Sequence, residues 1–276
     1  MLALSGVLLL GAALVAVLPL LSRAGRQTAG RRWARLVLAA VGVTLVVRGE
    51  PPRNRALLVA NHVSWLDIPA VLAVSPARML AKHEVRRWPL IGSLAARGGT
   101  LFVDRTRPRA LPETVVQVAG ALRSGAVVAV FPEGTTWCGA PRADAGCGWW
   151  SGRFRPAMFQ AAVDARVPVV PVRLSYRAGS VGATAAPAFL ADESMLDSVR
   201  RVLALRDLVV TVTVTADLAT SSDPATSSDL ATSSDPAAFA GRSGGTRSRP
   251  GRLVSRRRLA EAAEAAVRAA AGAAVG

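Results

Sequence analysis

Ala56-Leu57-Leu58-Val59-Ala60-Asn61-His62-Val63-Ser64-Trp65-Leu66-Asp67 joins an apolar run to a polar turn. The run Ala56–Ala60 has no polar side chain and reads as a strand buried on both faces. The turn after it carries a histidine and, five residues on, an aspartate. Histidine suits proton transfer near neutrality. One ring nitrogen takes a proton while the other donates to an orienting carboxylate, which also stabilises the imidazolium that forms. On an ideal helix five residues turn through about 500°, so His62 and Asp67 would not share a face. A strand-to-helix turn, with His62 at the helix mouth and Asp67 one turn in, brings them together. The residues alone leave a second reading open, in which His62 caps a helix and Asp67 is a solvated first-turn acid.

Working outward, further strand candidates are Arg78–Ala81, Thr100–Val103, Val127–Phe131, Val167–Leu174 and Leu208–Thr215. Most are short, apolar and rich in valine, as strands covered on both faces are. Helical stretches are expected at 67–74, 84–96, 110–123 and 155–164. Strands alternating with helices predict an α/β layered fold with a largely parallel central sheet flanked by helices. Pro168 and Pro171 argue for an edge, or for a bend where the chain leaves the sheet.

Ahead of this unit, Leu2–Leu21 runs 20 residues without a charge, about the length needed to span the hydrocarbon core. Nothing basic precedes it, whereas Arg23, Arg26, Arg31, Arg32 and Arg35 follow. That pattern predicts an uncleaved membrane helix with its C-terminal side in the cytoplasm rather than a secretory signal. Pro19 is expected to kink or end the helix. The run Leu36–Val47 is too short to span and is expected to be an interfacial or re-entrant helix or an early strand. Near the other end, residues 219–236 repeat the pattern ATSSD three times, with no apolar face to bury. They read as a low-complexity insertion without chemistry. Arginines from Arg242 to Arg258 follow, and Ser255 is expected to start an alanine-rich helix. The expected organisation is an anchor and basic segment at 1–35, a catalytic domain at 36–218, a repeat and linker at 219–250, and a terminal helix at 251–276.

With 276 residues, 51% of them hydrophobic, the chain has room for one sizeable core plus an anchor. The formal net charge is +16, and Lys82 is the only lysine. Such a surface meets nucleic acid, anionic lipid or phosphorylated substrates. The apolar excess favours lipid; no nucleic-acid motif or basic-aromatic platform is present, so no nucleic acid is expected as partner. Cys138 and Cys147 have no Cys or His cluster around them, which speaks against a metal site and for free thiols in a reducing compartment, with a Cys138–Cys147 bridge as the lesser alternative.

Two further blocks carry chemistry. Gly98-Gly99-Thr100-Leu101-Phe102-Val103-Asp104-Arg105 places glycines before a strand and an arginine after it. A guanidinium offers a planar fork of donors for a phosphate, although a surface Asp104–Arg105 pair is the plainer reading. Phe131-Pro132-Glu133-Gly134-Thr135 ends another strand, where α/β folds place their sites. Gly134 lets a ligand approach the backbone, and Glu133 is expected to hold Arg105 or a substrate hydroxyl; the alternative is an ordinary turn. His-x4-Asp, Gly-Thr-x-x-x-Asp-Arg and Phe-Pro-Glu-Gly-Thr occur in this order, each at a strand end. Together with the Val-Pro-rich run Val167–Val172 and Trp88-Pro89-Leu90-Ile91-Gly92, they resemble the 1-acylglycerol-3-phosphate acyltransferase family from about Val47 to Leu174.

The resemblance implies transfer of a fatty acyl group from acyl-CoA or acyl carrier protein to a lysophospholipid acceptor at the cell membrane, with anionic lipid as a partner. His62 would be the general base and Asp67 its orienting carboxylate. Arg105, Glu133, Gly134, Thr135 and Gly99 would bind the acceptor, with Asn61 and Ser64 supporting the first block. Neither a cofactor nor a metal is required, because a thioester is already activated. Departures follow Thr135: Thr136-Trp137-Cys138 and the loop to Trp150 stand where many members continue with a basic-serine segment. Trp149 and Trp150 suit a membrane surface or packing under that loop. Another acceptor (a different lysophospholipid, glycerol-3-phosphate or a hydroxylated amino-lipid) and hydrolysis of the thioester remain open.

Overall fold

The computed structural model describes residues 2–104, 106–137, 153–179, 182–189, 193–220 and 254–270. Its strands are β1 (Val43–Arg48), β2 (Ala56–Ala60), β3 (Ala77–Lys82), β4 (Leu101–Val103), β5 (Val127–Val130), β6 (Val169–Ala178), β7 (Gly182–Ala183) and β8 (Leu208–Val214). They form one sheet in the order β1-β8-β6-β2-β5-β3-β4, with β7 beside β6. Strands β2 to β6 run parallel; β8 is antiparallel to β6, and β1 is parallel to β8. Every residue of β2 is buried. Leu57 and Val59 face one core, Leu58 and Ala60 the other. On the first face lie α5 (Leu111–Arg123), α6 (Phe159–Ala165) and α8 (Arg256–Ala269). The second is covered by α2 (Arg23–Ala40), α3 (Asp67–Val74) and α7 (Met195–Ala204). This is the expected α/β layering.

Several expectations need correction. Pro168 and Pro171 do not mark an edge, because β6 lies between β2 and β8. Pro171 is tolerated because its missing donor faces the side where β8 has already ended at Val214. Its carbonyl takes the Thr215 N–H and hydroxyl there, each at 3.0 Å. The helix expected at 84–96 is broken into a 3-10 turn, His83–Arg87, and α4 (Ile91–Arg97). Pro89 keeps Trp88 extended, and Leu90 takes a left-handed φ of 62°. The run Leu36–Val47 is split between the end of α2 and β1. Helix α2 was hidden by its arginines; only Ala34, Val37 and Leu38 are fully buried on it. Short α7 was likewise unexpected, though Ser194 caps it by accepting from Asp197 N.

α1 (Leu2–Val17) ends at a 3-10 turn containing Pro19. Residues Ala3–Leu20 are long and apolar enough to cross a membrane. Yet one stripe of the segment packs along the rest of the chain. Leu4 touches the core, Val7 O accepts Trp33 Nε1 at 3.0 Å, and Gly11 is buried. A Cβ on Gly11 would lie 2.9 Å from Trp33 Nε1. Val15 O accepts Arg97 Nη1 at 2.7 Å, and Leu18 is buried. Positions 4, 7, 11, 15 and 18 form one helical stripe. The opposite face is bare, with Leu9 72% and Leu20 84% exposed.

Arg105, Cys138, Cys147, Trp149 and Trp150 lie outside the described residues, as does the repeat beyond Thr220. The two ends of that segment meet. Leu218 exchanges both backbone hydrogen bonds with Val169, and Val254 N donates to Thr220 O at 3.0 Å. Beyond the join, α8 buries Leu259, Ala260, Ala263 and Val267. Replacing residues 221–253 by a short Gly-Ser linker is therefore expected to change unfolding free energy by no more than about 1 kcal/mol. Ending the chain at Thr220 removes α8 and loses the burial of Leu259 and Val267, worth about 1.5–3 kcal/mol each. Urea unfolding of both variants checks this; equal stability of the two would refute it.

Candidate active site

The site grows from the C-terminal ends of two adjacent strands, β2 and β5. Asn61 follows β2 and ties it to β6. Its Nδ2 donates to Leu174 O at 2.9 Å, and its Oδ1 accepts Leu174 N at 2.8 Å. Both ends of the Asn61 amide are thus engaged in holding the scaffold. After it the chain turns, and Asp67 becomes the first residue of α3, where the helix dipole favours a carboxylate.

Asp67 is fully buried and accepts four hydrogen bonds. Oδ2 takes His62 Nδ1 at 2.8 Å, Val63 N at 2.6 Å and Ser64 N at 2.8 Å; Oδ1 takes the Tyr176 hydroxyl at 2.5 Å. Those donors compensate the desolvation of the charge. An acceptor-only carboxylate also requires Nδ1 of His62 to carry the hydrogen, leaving Nε2 to accept a proton. Burial, then the Asp67 charge, pushes the Tyr176 hydroxyl well above its ordinary value, so it stays a donor. The His62 side chain is 18% exposed, and its ring stacks on Phe131 at 4.0 Å between centroids. Ser64 is buried and closes the turn by accepting Leu66 N at 3.3 Å.

The third block reaches over from β5. Glu133 is 3% exposed, and its Oε2 accepts the His62 backbone N–H at 2.7 Å. Its Oε2 therefore holds the main chain of the histidine, while Arg105, its expected partner, lies outside the described residues. Burial pushes its carboxyl up to about 8. The His62 N–H opposes this shift, Asp67 and Glu264 add to it, and Arg268 counters it. From the other side, Trp137 N donates to His62 O at 2.7 Å. Thr136 Oγ1 donates to Phe189 O at 2.6 Å, and Phe189 N donates to Val63 O at 3.0 Å. Gly134 sits at φ 82°, a conformation that suits glycine, and Thr135 is exposed.

The second block is more distant in the sheet. β4 is three strand positions from β2, about 14 Å. Gly99, at φ 85°, gives its carbonyl to Arg78 Nε at 2.6 Å. Asp104 accepts the N–H and hydroxyl of Thr106 and pairs with Arg107. Among the described residues no group of three or more His, Cys, Asp or Glu could hold a metal ion. Tyr176 and Phe131 were missed as site residues. Tyr176 had a signal, being the only tyrosine and lying on the face of β6 shared by Val172 and Leu174.

Taken together, the pair has the parts of a general-base centre: a fixed imidazole, a compensated carboxylate and one free ring nitrogen. Residues 44–175 match the family model described as Acyltransferase. The chain is 38% identical over 180 residues to a lyso-ornithine lipid O-acyltransferase of Pseudomonas aeruginosa, covering 64% of this chain and 65% of that protein. It is 35% identical over 191 residues to a 1-acyl-sn-glycerol-3-phosphate acyltransferase of Neisseria meningitidis, covering 68% and 71%. In fold it is similar to the crystal structure of the 1-acyl-sn-glycerophosphate (LPA) acyltransferase PlsC of Thermotoga maritima. The TM-score is 0.55 at 20% identity, over 79% of this chain and 85% of that one. With its blocks at these strand ends, the chain belongs to the acyltransferase family that contains 1-acyl-sn-glycerol-3-phosphate and lyso-ornithine lipid acyltransferases.

Proposed function

We propose that the protein moves a fatty acyl group from acyl-CoA or acyl carrier protein to the free hydroxyl of 1-acylglycerol-3-phosphate, giving phosphatidic acid. The observation that carries this reading is the 2.8 Å contact between His62 Nδ1 and the buried Asp67. His62 Nε2 takes the hydroxyl proton as the acceptor oxygen attacks the thioester carbonyl. Asp67 stabilises the imidazolium through Nδ1–H. As the tetrahedral adduct collapses, the C–S bond breaks and the proton passes from Nε2 to the leaving thiolate. Arg105, following β4, is assigned to the acceptor phosphate, with Gly134 and Thr135 at its glycerol. A second reading, lyso-ornithine lipid as acceptor, is supported by the 38% identity to the Pseudomonas relative.

The acceptor's tail stays in a bilayer, so the enzyme works at the interface, on the cytoplasmic side where thioesters are made. Attachment is assigned to the bare face of α1, with the exposed Arg23, Arg26, Arg32 and Arg35 of α2 drawn to anionic lipid. Because α1 packs along its length on α2 and α4, the helix enters the membrane as one face of a folded body, not as a free-standing span.

A purified-protein assay with both donors and a panel of lysophosphatidic acid, lyso-ornithine lipid and no acceptor tests the chemistry. The expected result is transfer to lysophosphatidic acid, lowered at least about 100-fold in kcat by His62→Ala while the protein stays folded. Arg105→Ala is expected to raise the acceptor KM more than the donor KM. Near-normal turnover of His62→Ala, or donor hydrolysis unaffected by acceptor, would reject the reading. For the membrane, changing Leu9, Leu10 and Leu20 to Gln is expected to weaken co-sedimentation with anionic vesicles and leave activity on detergent-dispersed acceptor intact. Unchanged, salt-resistant sedimentation would assign attachment elsewhere.

A further inference from the structure

We propose that the C-terminal helix is a working part of the catalytic centre: Glu264 and Arg268 on α8 position Glu133, and through Glu133 the main chain of His62. This rests on His62 as the base. A continuous path of contacts carries it. Glu264 Oε2 accepts Phe154 N at 3.0 Å, and the next residue, Arg155, donates its N–H to Pro132 O at 3.0 Å. Pro132 precedes Glu133, whose Oε2 holds His62 N at 2.7 Å. α8 is fixed in place by its buried Leu259, Ala260, Ala263 and Val267 and by Arg173 Nη1 donating to Val267 O at 3.3 Å. One turn beyond Glu264, Arg268 pairs with it at 2.5 Å.

The charged groups acting on the Glu133 carboxyl come from two helices: Asp67 from α3, and Glu264 and Arg268 from α8. The His62 N–H is its hydrogen-bond donor. Two of these charges are negative and one is positive, so among the described residues Arg268 is the cation that favours ionised Glu133. An ionised carboxylate holds the His62 amide more strongly than a neutral carboxyl does, and its charge favours the imidazolium formed during transfer. Arg268 is therefore a positioning residue: it pairs with Glu264, which holds the Phe154 N–H on the path to Glu133, and its charge bears on the Glu133 carboxyl. Removing its charge pushes Glu133 further up; neutralising Glu264 lets Glu133 come down. A helix reached only across residues 221–253 thereby biases the ionisation of a group beside the histidine, in addition to the larger effect of burial.

The test uses the full chain as wild type, Arg268→Met, Arg268→Lys, Glu264→Gln and Glu133→Gln. Glu133 titrates near 8 in the folded protein against an ordinary 4.5. Its contribution to stability is therefore fully present below about 4.5 and lost as pH rises through about 8. The expected result is a fall of melting temperature over that window, ending at higher pH in Arg268→Met, at the wild-type pH in Arg268→Lys and at lower pH in Glu264→Gln. Glu133→Gln removes this component. The acidic limb of the kcat profile should move the same way with both KM values unchanged; a half-unit rise lowers kcat at pH 7 about threefold. Profiles that stay at the wild-type pH, or that move in one direction for both charge removals, overturn the proposal. Should Arg268→Met not fold, Glu264→Gln decides alone. If the wild type transfers no acyl group, the functional reading fails, and the melting profiles still decide the role of α8.

Discussion

The structure depends on one buried carboxylate. Asp67 has no exposed surface, and an uncompensated charge there would destabilise the fold by several kcal/mol. Its four donors come from three places: the His62 ring, the turn amides of Val63 and Ser64, and the Tyr176 hydroxyl on β6. Satisfying the charge therefore fixes the turn after β2, the start of α3 and the register of β6 against them. It also fixes the tautomer of the histidine. The same contacts that make the charge tolerable inside the protein prepare a nitrogen base.

The sheet order explains why His62 is held from both sides. β5 lies next to β2, so the loop after β5 falls against the turn after β2. Glu133 takes the His62 N–H, Trp137 gives its own N–H to the His62 carbonyl, and Phe131 stacks on the ring. Such positioning converts a flexible side chain into a fixed one before substrate arrives, and fixed groups are what make general-base catalysis effective. Above this layer, α8 and α6 seal the other side of the sheet, and α1 with α2 presents an apolar and basic flank.

Much of this was legible in the sequence. The continuous apolar strands announced a sheet covered on both faces, and each of the three blocks was expected at a strand end, although the block after β4 lies three strand positions from β2. What could not be read was set by partners distant in sequence. Glu133 looks like a substrate ligand in a Pro-Glu-Gly turn; its burial and its bond to the His62 amide come from the loop after β5 meeting the turn after β2. Pro171 argued for an edge because the early end of β8 beside it is a tertiary fact. The arginines of α2 concealed a helix whose buried stripe is narrow. Tyr176 bonds an aspartate 109 residues away, a distance that local pattern does not span.

The most direct measurement is the tautomer of His62. Only two histidines occur, His62 and His83, so a His83→Gln protein labelled with nitrogen-15 in histidine gives a single imidazole to follow. At a pH where the ring is neutral, the account predicts hydrogen on Nδ1, an unprotonated Nε2 and loss of that preference in Asp67→Asn. A neutral ring carrying its hydrogen on Nε2, or the same tautomer with and without the Asp67 carboxylate, would contradict it.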